Sequence, residues 1–118
     1  MLFKETIINI NDNSGFIKAK IINFYKGSFA TVGSFVYLAK KKVRKNTFLN
    51  EKKKLGIIIG TRFGVRRKSG IKVIHSMNSG LLIQDKSTLL GSRFLGPISL
   101  EIKNTALSKS LVFNRFFV

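Results

Sequence analysis

Short runs of β-branched and other apolar residues, separated by glycine-containing turns, occupy most of this chain. In the first turn, Asn11-Asp12-Asn13-Ser14-Gly15, side chains that can bond nearby backbone groups precede a glycine that tolerates positive φ. Several short strands with turns at this spacing are typical of a small β-barrel. We predict strands at 6–10, 17–25, 34–42, 55–62 and 81–84, and a hairpin over 62–74.

Alternation assigns the faces of the second predicted strand. Ile17, Ala19, Ile21 and Asn23 fall on one face, and Lys18, Lys20 and Ile22 fall on the other. The run at 55–62 is almost continuously apolar, which predicts a strand buried on both faces.

The last part of the chain changes period. Pro97 suits a first helical position, and i, i+4 apolar pairs predict two short α-helices at 98–103 and 105–111. The final Phe113, Phe116, Phe117 and Val118 form an apolar tail that we expect to dock on another surface. The whole chain, 1–118, is predicted to be one domain, with the barrel over about 1–95, helices over about 97–112 and the tail at 113–118.

The charge indicates the class of partner. The 118 residues include 22 Lys or Arg but only 5 Asp or Glu, giving a net charge of +17. Because 44% of the residues are hydrophobic, the chain is not a disordered basic tail. A folded domain this cationic is typical of a nucleic-acid-binding protein.

The basic residues are concentrated in three clusters, at 40–45, at 52–54 and at 66–72. Such clusters release counterions on meeting phosphate, which makes binding strong and salt-dependent. Phosphate contacts position a protein without reading bases, so no sequence specificity follows. The predicted RNA-binding residues are Lys18, Lys20, Lys40, Lys41, Lys42, Arg44, Lys45, Lys52, Lys53, Lys54, Arg62, Arg66, Arg67, Lys68 and Lys72.

No pattern predicts catalysis, a metal site or a cofactor. The five acids are scattered, His75 is the only histidine, and the absence of cysteine excludes disulfides and thiolate zinc sites. The glycine-rich segment 91–96 lacks the Lys-Ser/Thr that completes a phosphate-binding loop. Asp12 and Asn13 are expected to form a turn rather than bind a metal.

Several motifs, in order, resemble those of the universal large-subunit ribosomal protein L-fourteen family. They are Asp12-Asn13-Ser14-Gly15, Val32-Gly33, Gly64-Val65-Arg66-Arg67 with Gly70, Asn78, and Gly91-Ser92-Arg93-Phe94-Leu95-Gly96-Pro97. Each is weak alone, but their order and spacing hold from about Thr6 to Lys109.

This resemblance implies a mainly β fold: a five-stranded barrel with a protruding β-hairpin ribbon and short C-terminal helices. It also implies a non-enzymatic, structural role on the large ribosomal subunit, with large-subunit rRNA and neighbouring ribosomal proteins as partners. The loop matching 41–46 would reach small-subunit rRNA at an inter-subunit bridge, through Lys41, Lys42 and Arg44. A ribosome-silencing factor would contact Ser92, Arg93 and Lys109.

Departures from the family pattern suggest an origin. The tail is divergent, His75-Ser76 replaces a usual Phe-Asp pair, and Phe113, Phe116 and Phe117 are expected to contact a protein neighbour. With A/T-rich codon usage and no recognisable presequence, these features predict an organelle-encoded mitochondrial protein, with a bacterial cytoplasm or a plastid as alternatives.

Two other functions remain open at this stage. A free single-strand-binding barrel would stack bases on exposed rings, and its candidates are Phe16, Phe24, Phe29, Phe35 and Phe63. A membrane-surface protein would need a long amphipathic helix, and none is visible in the sequence.

Overall fold

The computed structural model describes residues 1–43, 52–85, 88–91, 96–104 and 117–118. Seven strands and one short 3₁₀ helix are defined in these ranges. They are β1 (Ile7–Ile10), β2 (Phe16–Phe24), β3 (Phe35–Val43), β4 (Lys53–Gly60), β5 (Val65–Arg66), β6 (Lys72–Val73), β7 (Ser79–Ile83) and the 3₁₀ helix Leu100–Asn104. No helix in the described ranges is long and apolar enough to cross a membrane.

Five strands close into a barrel in the order β1-β2-β3-β4-β7, which confirms the predicted five-stranded barrel. The neighbouring strands pair antiparallel except β1 and β7, which pair in parallel through Asn9 with Ser79 and Ile10 with Gly80. The short β5–β6 ladder forms a separate two-stranded ribbon between β4 and β7 in the sequence, as expected for the hairpin.

Inward-facing side chains from all five strands fill the barrel. The fully buried Phe16, Ile21 and Leu38 are among the largest of them. Leu2 and Ala30 belong to the same cluster, because their backbones form a two-bond bridge outside the barrel strands.

A second apolar cluster lies on the outer face of β4 and β7. Ile57 and Ile59 of β4 pack there with Ile98 and Ile102 of the C-terminal segment, and all four are fully buried. Ile58, between them, belongs to the barrel interior. The strand is therefore buried on both faces, which confirms the prediction from its continuous apolar run.

The face assignment for β2 is correct only in its middle. Ala19 and Ile21 are buried as predicted, but Asn23 is exposed and Phe24 is buried instead. The register with β3 shifts between Ile21 and Asn23, where Ile22 is an extra residue. A bulge of this kind reverses the alternation beyond it, and period-2 reasoning does not anticipate that.

The two predicted C-terminal α-helices are not supported. Where the first was expected, at 98–103, the chain forms a bridge at Ile98 and then the 3₁₀ helix Leu100–Asn104. Ile98 and Ile102 face the barrel as the i, i+4 spacing suggested, but the bridge places Ile98 and the short 3₁₀ helix places Ile102. The second predicted helix, at 105–111, lies outside the described residues.

The barrel interior predicts a matched pair of stability changes. Ile58→Ala should lower the free energy of unfolding by about 2–5 kcal/mol, because Ile58 is 0% exposed and the neighbouring strands cannot fill the cavity. Ile7→Ala, at a strand position that is 50% exposed, should cost less than about 1 kcal/mol. Urea unfolding of the two variants measures both values, and equal losses would contradict this assignment of the core.

Candidate nucleic-acid interface

Lysines of β2 and β3 are brought together by the strand register. Lys18 pairs directly with Lys42, and Lys40 lies opposite Ala19. Lys41 is the extra residue of a bulge between these two pairs. Like charges directly opposite each other destabilise an antiparallel pair, and a bound phosphate would reverse the sign of that interaction.

Strand β4 extends this surface. Lys53 pairs with Ala39, and the backbone N–H of Lys40 donates to the carbonyl of Lys52 at 3.0 Å. The described residues of two predicted clusters, 40–43 and 52–54, therefore meet at one end of the barrel. We call this the lysine surface, and its exposed members are Lys18, Lys40, Lys41, Lys42, Lys52 and Lys53.

Two acids of the described ranges, Asp12 and Glu5, are engaged by groups outside the lysine surface. Asp12 is buried in the first turn, where its carboxylate accepts hydrogen bonds from the backbone N–H of Ser14 at 3.0 Å and of Leu82 at 3.1 Å. It therefore fixes the turn and ties it to β7, as the sequence suggested. Glu5 forms an ion pair with Lys20 at 2.5 Å, which occupies one of the predicted RNA-binding lysines.

The ribbon carries most of the third cluster. Arg66, Lys68 and Lys72 are exposed, and the Lys72 Nζ lies 5.1 Å from the centre of the Phe63 ring, a cation–π contact. Gly64 adopts a φ of +85° at the start of the ribbon, and an added Cβ there would lie 2.8 Å from the carbonyl oxygen of Val73. A close approach of the two ribbon strands therefore requires this glycine.

Arg67 differs from its neighbours because it makes intramolecular contacts. Its Nε donates to Glu101 Oε1 at 2.9 Å, and its side chain also donates to the carbonyl of Val118 at 2.5 Å. The ion pair joins the ribbon to the 3₁₀ helix. Arg67 is one of the predicted RNA-binding arginines, but it is half-buried and its contacts stabilise the fold.

Glu101 has a strongly perturbed pKa. Partial burial by itself would raise the pKa, but hydrogen bonds from Arg67 and Ser99 outweigh it and lower the pKa from about 4.5 to about 2. The carboxylate is therefore charged at neutral pH and is a structural partner of the ribbon.

His75 lies at the end of the ribbon, and its side chain packs against Gly60. Its ring lies so close to Gly60 that a Cβ at Gly60 would lie 2.6 Å from the imidazole Cγ. Burial lowers the pKa of His75, Glu101 raises it and Arg67 lowers it further. Its Nε2 is buried and has no hydrogen-bond partner among the described residues, so the neutral ring is favoured.

Several predicted site residues lie outside the described ranges. These are Arg44, Lys45, Ser92, Arg93, Lys109, Phe113 and Phe116. Phe117 is described: it is half-buried, bridges Ile98 and packs on the outer cluster. Part of the apolar tail thus docks on this chain's own barrel.

The aromatic residues do not match those expected of a free single-strand-binding barrel. Phe16 and Phe24 are buried in the interior, Phe35 packs on the outer cluster, and only Phe29 and Phe63 are exposed. Sequence reasoning missed the exposed Phe3, Tyr25 and Tyr37. The bulge at Ile22 explains part of this miss, because it changes which residues at the end of β2 and β3 face outward.

The family model described as ribosomal protein L14p/L23e matches residues 1–117. The chain belongs to this family. It is therefore a structural constituent of the large ribosomal subunit that acts in translation, with rRNA and ribosomal proteins as the partners that the family implies. Proteins of this kind are generally not enzymes, and among the described residues no group of three His, Asp or Glu side chains is placed to hold a metal ion.

The Glu101 ion pair predicts a pH dependence of stability. Because the pKa of Glu101 is lowered in the folded state, its contribution is present above about pH 4.5 and is lost as the pH falls toward 2. Glu101→Gln should lower the free energy of unfolding at pH 6. Between pH 4.5 and 2 the variant should lose less stability than the unchanged protein does. Thermal unfolding across this range measures the effect, and removal of the exposed carboxylate in Glu5→Gln controls for net charge. An unchanged pH profile in Glu101→Gln would contradict the assignment.

Proposed function

We propose that this ribosomal protein binds large-subunit rRNA chiefly through the lysine surface, with the ribbon as a second contact. The pairing of Lys18 with Lys42 is the observation that carries the proposal. Two lysines directly opposite each other destabilise a strand pair, and an anion between them removes the repulsion. RNA provides such anions, because its backbone carries regularly spaced phosphates.

The mechanism is electrostatic and positional. Barrel strands hold the lysine side chains at a fixed spacing, so less side-chain ordering is required on binding. On the ribbon, Arg66, Lys68 and Lys72 extend the cationic surface, and Gly70, whose φ is +88°, gives it a tight turn that can approach an RNA backbone closely. These contacts would anchor the protein without reading base sequence.

Neutralising the lysine surface should weaken RNA binding. In a Lys18→Gln, Lys40→Gln, Lys42→Gln variant, the slope of log affinity against log salt for a helical large-subunit rRNA fragment should decrease by about two to three, reflecting three lost phosphate contacts. The matched Lys→Arg variant at the same three positions keeps the charge and should retain the slope. Filter binding from 50 to 300 mM salt measures both. A normal slope in the glutamine variant would refute the lysine surface as the RNA contact.

We also propose that the segment beginning at Lys41, at the end of β3, contributes to an inter-subunit bridge with small-subunit rRNA. The support is its position: Lys41 and Lys42 lie at the far end of β3, at the edge of the lysine surface, and Arg44 follows in the sequence. One continuous cationic surface can then contact the rRNA of both subunits.

Charge reversal of Lys41, Lys42 and Arg44 to Glu should impair subunit joining more than incorporation into the large subunit. Reversal of Arg66, Lys68 and Lys72 on the ribbon changes the net charge equally and is the matched control. Gradient sedimentation of particles carrying each variant separates the two effects. Normal joining by purified subunits that carry the loop variant would refute the bridge.

We further propose that the ribosome concerned is mitochondrial, on the support of the A/T-rich residue usage and the divergent tail. Neighbouring proteins would contact the tail, and a silencing factor would contact Ser92, Arg93 and Lys109. Sedimentation of the tagged protein from a mitochondrial lysate tests the location: co-migration with the large subunit is expected, and its presence only in another compartment would refute it.

A further inference from the structure

The end of the barrel that lies away from the lysine surface carries a cluster of exposed aromatic side chains. Phe3 is 56% exposed, Tyr25 44%, Phe29 45% and Tyr37 39%. We call these four residues the aromatic patch. Exposed rings grouped at one place mark an interaction site more often than single scattered ones do.

A backbone bridge brings the residues that carry two of the rings to neighbouring positions. Leu2 and Ala30 exchange two hydrogen bonds, at 2.7 and 2.8 Å, and both of their side chains are buried. In an antiparallel bridge the residues one step outward, Phe3 and Phe29, lie opposite each other and on the other face. Their exposure is therefore a consequence of the bridge geometry.

The other two rings are placed by β2 and β3. Tyr25 and Tyr37 have ring centres 6.5 Å apart with an interplanar angle of 32°, and Tyr25 meets the edge of Phe35 at 6.3 Å. Asn23 pairs with Tyr37 across the two strands, so the two side chains share a face. These contacts restrain the tyrosine rings while leaving each partly open to solvent.

A shallow groove of about 410 Å³ adjoins the patch. It is lined by Phe3, Lys4, Asn23, Phe24, Gly27 and Ser28. Asn23 Oδ1 accepts a hydrogen bond from the N–H of Phe24 at 2.9 Å, while its Nδ2 makes no hydrogen bond with the described residues. The groove thus combines a ring face, a lysine and an amide that can donate to the edge of a base.

The charge around the patch selects the kind of ligand. Lys4 and Lys26 are exposed and form no ion pair within the described ranges. The nearest acid in the sequence, Glu5, is held by Lys20. Open rings flanked by unpaired cations suit a ligand that is both flat and anionic, and this describes an unstacked nucleotide better than an apolar protein segment.

We propose that the aromatic patch binds one or more unpaired rRNA nucleotides by stacking their bases on its rings, with Lys4 and Lys26 at the phosphates. The inference rests on the proposed function, since the ligand is part of the same rRNA. Lys18 lies in β2 and Tyr25 lies just beyond its end, seven positions away, about 20 Å at the rise of a strand. The Lys18–Lys42 pair and the Tyr25–Tyr37 ring pair are therefore separate sites, one for phosphates and one for bases.

The test compares two hexamers of equal charge, one of adenosine and one of the same backbone without bases. Both carry an end label, and fluorescence anisotropy gives their affinities for the full-length protein at 300 mM salt. The base-containing hexamer should bind about tenfold more tightly, as expected for stacking of a base on an aromatic ring. Circular dichroism establishes that each protein used is folded.

The tyrosines provide a direct readout of the site. The chain has only two, Tyr25 and Tyr37, and both belong to the patch. Protein labelled on its tyrosine rings should therefore give two sets of ring signals in NMR spectra. Both should shift upfield with the adenosine hexamer and remain in place with the base-free one.

Variants separate this site from the lysine surface. Phe3→Ser with Phe29→Ser should reduce the tenfold ratio between the affinities of the two hexamers to about one. Both tyrosines remain in this variant and report on the site. Phe63→Ser removes an equally exposed ring on the ribbon and should keep the ratio. Lys18→Gln, Lys40→Gln, Lys42→Gln should weaken both hexamers alike and also keep the ratio.

The outcomes distinguish the two proposals. Salt-dependent binding of both hexamers with equal affinity would support the proposed function and overturn this inference, and the patch would then be left to a protein neighbour. An affinity ratio near one in the Phe63→Ser control as well would also overturn this inference. A ratio near ten that is lost only in the Phe3, Phe29 variant would establish the stacking site, and an absence of binding to either hexamer would overturn both proposals.

Discussion

The burial of β4 on both faces determines how the rest of the molecule is arranged. Ile58 faces the barrel interior, while Ile57 and Ile59 need a cover on the outside, and Ile98 and Ile102 of the C-terminal segment provide it. That cover is held by the ion pair between Arg67 and Glu101 and by the backbone bonds of Val118 with Ile98 and Leu100. The outer faces of β2 and β3 receive no such cover from the described residues, and Lys18 and Lys42 pair there.

The distribution of charge follows from this division of the barrel. Buried or paired acids stabilise the covered side and the turns: Asp12 holds the first turn to β7, and Glu101 holds the ribbon. Lys18 and Lys42, opposite each other on β2 and β3, form no ion pair within the described residues, and their repulsion lowers the stability of the free protein. In the proposed complex, RNA binding would remove this repulsion as well as add an attraction. Stability and function are thus assigned to different faces of one small barrel.

Much of this fold can be predicted from local patterns, because the barrel strands show alternation over part of their length or, in β4 and β7, a continuous apolar run. The bulge at Ile22 could not be predicted in this way: it depends on the register with β3, and it turns Asn23 outward and Phe24 inward. The C-terminal segment was wrongly predicted as helical because Ile98 and Ile102 show helical spacing, although the requirement is only that both reach the outer cluster. The structural role of Arg67 could not be predicted, because its partner, Glu101, is 34 residues away in the sequence. The basic clusters of the site could be predicted from the sequence. That two of them lie together in the fold depends on strand register, which the sequence pattern does not give.

The parallel pairing of β1 with β7 has a consequence for how the protein is made. β1 lies at residues 7–10 and its second neighbour at 79–83, so the barrel cannot close until about two thirds of the chain has been synthesised. Closure over such a sequence separation is a slow, non-local step, and until then β1 presents an unpaired edge. A nascent chain with this topology therefore completes its fold late, at a stage when its open form already carries most of its Lys and Arg residues.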